Sequence, residues 1–232
     1  MISLETPTGF RAYFIWFQLI SVYILIECAL WSARLELRNW WALTAGVGVV
    51  FFVILDLALP DFIPTDLALH DRPSPVAMGL GLPAGSGSAA VLATGVATAI
   101  FLIFVVRAAG GDVHVQMTWP YVRQALGYLV WAIVQEFILL SFFFTRCEEL
   151  FGSRAAVWIT ATLFAGAHLP SPLLTTFTFI AALFFCEMFR RYRSIYPIAV
   201  VHALLGLTVA VTMPDSLLHH MRVGIGYLQY RR

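Results

Sequence analysis

Long apolar runs separated by short polar links make up most of this sequence. A transmembrane helix needs roughly 20 predominantly apolar residues, so a chain of 232 residues has room for about six to eight of them. Only 12% of the residues are charged, whereas about one quarter are charged in a typical soluble domain. The sequence therefore predicts an all-α, polytopic transmembrane helix bundle of about seven spans (six to eight), built as one membrane domain.

The predicted spans fall into regions that differ in the residues they carry. Residues 1-119 hold three spans and no recognisable motif, with the longest extramembrane loop expected at residues 60–87. Residues 120-212 hold four spans, expected near 120–144, 155–169, 173–189 and 195–212, together with the polar groups considered below. Residues 213-232 form an amphipathic tail.

Charge and cysteine content exclude several functional classes. The formal net charge is +1, so no basic surface indicates a nucleic-acid partner. The three cysteines, Cys28, Cys147 and Cys186, are far apart and lack the spacing of a zinc site or a disulfide framework. The partner that the composition implies is membrane lipid.

Ionisable side chains occur inside the apolar runs of the second region. Glu136 lies near the centre of the fourth predicted span beside Gln135, His168 lies near the end of the fifth, and His202 lies within the seventh. A carboxylate at mid-span costs about 2.5–3.5 kcal/mol, so each such group needs an explanation. If they share a cavity, a carboxylate and two imidazoles can perform general acid–base chemistry or bind a divalent metal. The alternative is that each is an isolated polar residue bonded to a neighbouring helix.

Other acidic residues lie closer to the predicted span ends. We expect Glu27 and Asp56 to reach the membrane interface in structural roles. The adjacent Glu148 and Glu149 follow the fourth apolar run, and we expect them to form a solvated helix end.

Three short motifs on separate predicted spans occur in a fixed order. The first motif is Gln135-Glu136, the second is Phe164-Ala-Gly-Ala-His168, which has the form Phe-x-x-x-His, and the third is His202-Ala-Leu-Leu-Gly206. His168 follows Gln135 by 33 residues, and His202 follows His168 by 34 residues. Over roughly residues 120–212 this set resembles the CPBP family of intramembrane proteases, which includes type II CAAX prenyl proteases and bacteriocin-processing proteins. The pattern of that family is Glu-Glu-x-x-x-Arg, then Phe-x-x-x-His, then His-x-x-x-Asn or a small residue.

The resemblance implies a hydrolase, specifically a glutamate-type intramembrane endopeptidase acting on a membrane-associated or lipidated peptide or protein. It implies that Glu136 and His168 prepare a water molecule that attacks the peptide bond. His202 would polarise the carbonyl group and stabilise the oxyanion, and Gln135 would donate a hydrogen bond to that oxygen or to the water. It further implies a place in the prokaryotic cell (inner) membrane.

This sequence departs from the family pattern at three positions. Gln135 replaces the first glutamate, Leu140 replaces the arginine, and Gly206 replaces the asparagine. An amide cannot act as a general base, and Glu136 points about 100° away from Gln135 around a regular helix. Phe164 and Gly206 are expected to contact the substrate.

The departures keep two alternatives to proteolysis open. One is a catalytically degraded relative that serves as a membrane chaperone or scaffold. The other is a proton or metal transporter built on the same buried groups.

The first prediction concerns cofactors. We expect none, because the resemblance implies a glutamate-type mechanism and no third histidine or cysteine joins the motifs. Activity should therefore survive washing with a chelator. The less favoured alternative is zinc held by His168, His202 and Glu136. Stoichiometric zinc in the washed protein, with activity lost when the metal is removed, would support that alternative.

Overall fold

A computed structural model of the protein describes residues 9–58, 74–81, 85–113 and 118–230. All the regular elements in these ranges are helical. The long elements are α1 (Phe10–Trp31), α2 (Leu35–Ala58), α3 (Gly85–Ala108), α4 (Trp119–Glu136), a π-helical segment (Phe137–Phe144), α5 (Thr145–Phe151), α6 (Ser153–Gly166), α7 (Pro172–Tyr192) and α8 (Tyr196–Thr212). The tail contains α9 (Asp215–Leu218), a 3-10 turn (His219–Met221) and α10 (Ile225–Leu228). Most of the loop predicted at 60–87 lies outside the described residues.

The fold class predicted from the sequence is confirmed. Within the described ranges, five helical segments are long and apolar enough to cross a membrane: α1, α2, α3, the continuous run Trp119–Phe151, and α7. A sixth is counted if α8 and the segment Asp215–Met221, which meet at an angle of 120°, form one broken span. Helix α6 has 14 residues and is the shortest of the helices at the predicted span positions. This is a polytopic helical bundle consistent with about seven spans.

Proline and glycine residues set the helix boundaries around the second region. Helices α4, α7 and α8 each carry a proline in the first turn, where its missing N–H group has no intrahelical partner to lose. Gly152 separates α5 from α6 with a φ of +78°, a conformation that glycine adopts without a steric penalty. The chain therefore turns sharply after the fourth apolar run, and α6 and α7 pack against each other as a hairpin.

Helix α8 lies between several other helices of the bundle. It packs against α3 and α4 and also contacts α7. Gly95 on α3 permits the close approach, because a Cβ atom there would lie 2.5 Å from a methyl group of Val201. Large apolar side chains such as Phe104 and Phe51 remain exposed on the outside of the bundle, as expected for surfaces that face lipid.

A buried ion pair connects the first two helices to the second region. The Arg146 guanidinium, whose side chain is 3% exposed, lies 2.7 Å from Asp56 Oδ2. It also donates to the side-chain oxygen of Gln18 and, at 3.2 Å, to the carbonyl oxygen of Phe142. Asp56, two residues before the end of α2, therefore has a structural role as the carboxylate partner of Arg146, and its place at the membrane interface stays a prediction.

The acidic pair after the π-helical segment is also engaged in ion pairs. Glu149 accepts hydrogen bonds from Arg11 on α1, with 2.7 Å between Arg11 Nη2 and Glu149 Oε2. Glu148 accepts one from Arg193 at 2.6 Å. The expected solvated helix end is therefore wrong, because both carboxylates join α5 to other parts of the fold.

The second prediction tests the buried ion pair. Replacing Asp56 alone with leucine leaves the Arg146 charge buried without its carboxylate, and we expect a loss of about 3–5 kcal/mol in the free energy of unfolding. The double replacement Asp56→Leu with Arg146→Met should recover most of that loss, because no buried charge remains. Reversible denaturation in detergent micelles provides the measurement. Losses that simply add in the double variant would contradict the assigned pairing.

Candidate active site

A hydrogen bond joins Glu136, at the end of α4, to His202 on α8. Glu136 is fully buried, and its Oε1 lies 2.6 Å from His202 Nδ1. For an ionised Glu136, which only accepts hydrogen bonds, and a neutral His202, the proton of this bond is carried by Nδ1. The Nε2 atom of His202 then carries a lone pair. The carboxylate therefore fixes both the orientation and the tautomer of the imidazole.

His168 has the same tautomer for a different reason. It lies in the turn after α6, and its Nδ1 is 2.7 Å from the carbonyl oxygen of Phe164. Because that oxygen can only accept, Nδ1 of His168 carries the proton and Nε2 is again an acceptor. The ring of Phe164 contacts both imidazoles, with its centroid 4.7 Å from that of His168 and 5.9 Å from that of His202.

Both histidines line a cavity of about 750 Å³ inside the bundle. Gln135, Phe164 and Gly206 line the same cavity, and most of its other walls are apolar. The structure thus brings together five of the six site residues predicted from the sequence on one cavity surface. The sixth, Glu136, does not line the cavity but lies behind His202.

The neighbouring residues Gln135 and Glu136 therefore face different partners. Gln135 faces the cavity, whereas Glu136 is directed at His202, as expected for consecutive residues about 100° apart around a helix. The π-helical segment begins directly after Glu136, and such wide turns are frequent at functional sites. Leu140, at the position of the family arginine, lies within that segment and is fully buried in the apolar core.

Several cavity residues were not recognised from the sequence. Tyr128 on α4 lines the cavity, and its ring lies nearly perpendicular to that of His202 at a centroid distance of 6.3 Å. Its position seven residues before Gln135 places it on the same helix face, which is the signal that could have identified it. Met221 and Val223 of the tail also line the cavity. So do residues of α1, α2 and α3. The region without a motif thus forms part of the site.

The donor set around the cavity bears on the zinc alternative. Within the part of the chain that the structure describes, no three histidine, cysteine, aspartate or glutamate side chains are grouped so that they could hold a metal ion. The expected third ligand, Glu136, is engaged with Nδ1 of His202. The expectation of metal-independent activity stays a prediction, to be decided by the chelator experiment.

Fold and site together define a class: a polytopic membrane protein with a buried carboxylate–imidazole pair and a second imidazole around an internal cavity. Residues 117–208 match the family described as type II CAAX prenyl endopeptidase Rce1-like. This segment is an Rce1-like domain, consistent with a CPBP-family protease, and the resemblance seen in the motifs is confirmed. Comparisons with curated proteins and with solved structures gave no match.

The third prediction concerns the histidine tautomers. In ¹⁵N NMR spectra of histidine-labelled protein, neutral His168 and His202 should both carry their proton on Nδ1. Glu136→Leu removes the acceptor that holds this proton at His202 and should shift the tautomer equilibrium there. His168 is the internal control, since its acceptor is the Phe164 carbonyl oxygen. An Nε2-protonated His202 in the unsubstituted protein would contradict the geometry described above.

Proposed function

We propose that this protein is an intramembrane peptide-bond hydrolase of the CPBP type, acting on a membrane-associated or lipidated peptide or protein. The observation that carries the proposal is the pair of imidazoles on one cavity, one of them bonded to a buried carboxylate. The Rce1-like domain supports it, because that family consists of proteases that act on membrane-associated prenylated proteins.

The Glu136–His202 pair supplies the general base in this proposal. Water in the cavity donates a hydrogen bond to His202 Nε2, and its oxygen attacks the carbonyl carbon of the peptide bond. The water proton passes to Nε2 as the carbon–oxygen bond forms. The carboxylate of Glu136 stabilises the resulting imidazolium through Nδ1–H, the same division of labour as in other carboxylate–histidine pairs. When the carbon–nitrogen bond breaks, the imidazolium returns that proton to the leaving nitrogen.

This division of roles differs from the one implied by the family resemblance. There, Glu136 acts with His168 and His202 stabilises the oxyanion. The observed hydrogen bond instead favours Glu136 acting through His202, whose Nε2 is an acceptor before the reaction. His168 Nε2 is a second acceptor for the attacking water, and the amide of Gln135 is a donor to the developing oxyanion. The ring of Phe164 contacts both imidazoles.

The cavity walls indicate how a lipidated substrate is accommodated. Apolar side chains from several helices surround the polar groups. An apolar chain of the substrate can therefore pack against them without burying unpaired polar atoms. The proposal therefore places the lipid or apolar segment of the substrate along these walls and its peptide bond between Gln135 and the histidines. The proposal also divides the membrane domain into three regions, residues 1-119, 120-212 and 213-232. It places the protein in the prokaryotic inner membrane.

A catalytically degraded relative, acting as a chaperone or scaffold, is the second candidate. Two observations favour it: Leu140 is buried in the apolar core where the family has arginine, and Gln135 presents an amide where the family has a carboxylate. In a degraded site, Gln135→Glu should create turnover where the unsubstituted protein has none. In the proposed site, the same substitution replaces an oxyanion donor with a negative charge and should lower turnover.

The fourth prediction tests the base and its partner. In proteoliposomes with a fluorogenic lipidated peptide library, His202→Ala and His168→Ala should abolish cleavage. Glu136→Gln should lower kcat by about 10²–10⁴-fold, because an amide does not stabilise the imidazolium as a carboxylate does. His220→Ala, which alters an exposed histidine of the tail, is the matched control and should cleave normally. Absence of cleavage by the unsubstituted protein across the library would reject the proposed function.

A further inference from the structure

Among the described residues, five side chains that carry a hydroxyl group line the cavity, and four of these hydroxyls are already committed as donors. The hydroxyls of Thr94, Thr98 and Thr178 each donate to a backbone carbonyl oxygen one turn earlier, at 2.8–2.9 Å. The hydroxyl of Tyr23 donates to a backbone carbonyl oxygen of α6 at 3.3 Å. The fifth belongs to Tyr128, and among the described residues it has no hydrogen-bond partner. Its proton is therefore available to a molecule in the cavity.

The position of the Tyr128 hydroxyl depends on a glycine. A Cβ atom on Gly206 would overlap the hydroxyl oxygen and lie 2.7 Å from the ring carbon Cε1 of Tyr128. Because real Cβ atoms essentially never come that close, any other residue at position 206 would displace the ring. Gly206 lies one helical turn after His202 on α8, on the same face. The missing side chain thus allows a hydroxyl from α4 to sit beside the catalytic imidazole.

The proposed reaction needs a hydrogen-bond donor for the developing oxyanion. The Nδ1–H groups of His202 and His168 are bonded to Glu136 and to a backbone carbonyl oxygen, and both Nε2 atoms are acceptors. Neither imidazole can therefore donate to a carbonyl oxygen before the water proton has moved. Donors that point at the developing negative charge supply one of the largest catalytic effects in acyl transfer. Gln135 provides one donor, and Tyr128 lies on the same face of α4 two turns earlier.

We propose that Tyr128 is a catalytic residue whose hydroxyl donates a hydrogen bond to the oxyanion; this inference rests on the proposed function. As the water oxygen bonds to the carbonyl carbon, the π electron pair of the carbonyl group moves onto its oxygen. Tyr128 and Gln135 both donate hydrogen bonds to that oxygen, and no proton leaves either residue. When the carbon–nitrogen bond breaks, the electron pair re-forms the carbonyl double bond. Gly206 thus provides the space that the Tyr128 hydroxyl occupies.

The fifth prediction is a substitution that removes only the hydroxyl. Tyr128→Phe should lower kcat by about 10²–10³-fold, the usual effect of losing one oxyanion donor, with little change in KM. Tyr121→Phe on the same helix, where the side chain is exposed, is the matched control and should keep the unsubstituted kcat. Melting temperatures of both variants show whether folding is preserved. A Tyr128→Phe variant with unchanged kcat, or with an effect on KM alone, would overturn the inference.

A second variant tests the contact with the glycine. Gly206→Ala should displace the hydroxyl and lower kcat, whereas adding Gly206→Ala to Tyr128→Phe should lower it little further, because the donor is already absent. Equal fold-losses in the two backgrounds would overturn the assigned contact.

The outcomes separate this inference from the proposed function. If the unsubstituted protein cleaves and His202→Ala does not, while Tyr128→Phe retains full kcat, the function stands and the role of Tyr128 is rejected. If the unsubstituted protein does not cleave, the function is rejected and this inference with it.

Discussion

The hydrogen bond between Glu136 and His202 is the interaction on which the site depends. A carboxylate inside an apolar bundle is expensive unless it is paired, and removing one partner of a buried pair typically costs about 3–5 kcal/mol. Here the partner lies on another helix, so the pairing also fixes α4 against α8. In the proposed mechanism the same bond holds the proton on Nδ1, so that Nε2 serves as the acceptor. One contact thus satisfies Oε1 of the carboxylate and orients the imidazole, while Oε2 of Glu136 is buried without a hydrogen-bond partner among the described residues.

The same physical rule explains why the first helices belong to the site although they carry no motif. Arg146 is satisfied by Asp56 on α2 and Gln18 on α1, and Glu149 is satisfied by Arg11. These pairs hold α1 and α2 against the second region, where their side chains complete the cavity wall. The boundary near residue 119 thus separates a region without a motif from a region with motifs. Polar contacts across this boundary join the two regions in one bundle.

The three departures from the family pattern have different physical consequences. Leu140 removes a charge from a position that is fully buried in the apolar core. Gln135 presents an amide, a donor, to a cavity whose two imidazoles are acceptors. Gly206 leaves a space into which the Tyr128 hydroxyl projects. In the proposed mechanism the last two changes are complementary: base chemistry is carried by the Glu136–His202 pair, and the oxyanion donors come from α4.

The sequence by itself determined the class of the protein and most of the residues of the candidate site. Apolar runs of span length predict a helical membrane bundle, because the periodicity and length of such runs are properties of the chain alone. The order and spacing of the motifs identify Gln135, Glu136, His168 and His202 in the same way. Which atoms meet was decided only by the tertiary structure. Three contacts depend on the rotation and register of one helix against another: the bond from Glu136 to His202 rather than to His168, the burial of Asp56 against Arg146, and the hydroxyl of Tyr128 beside Gly206. Rotation and register arise from packing between segments that are distant in the sequence.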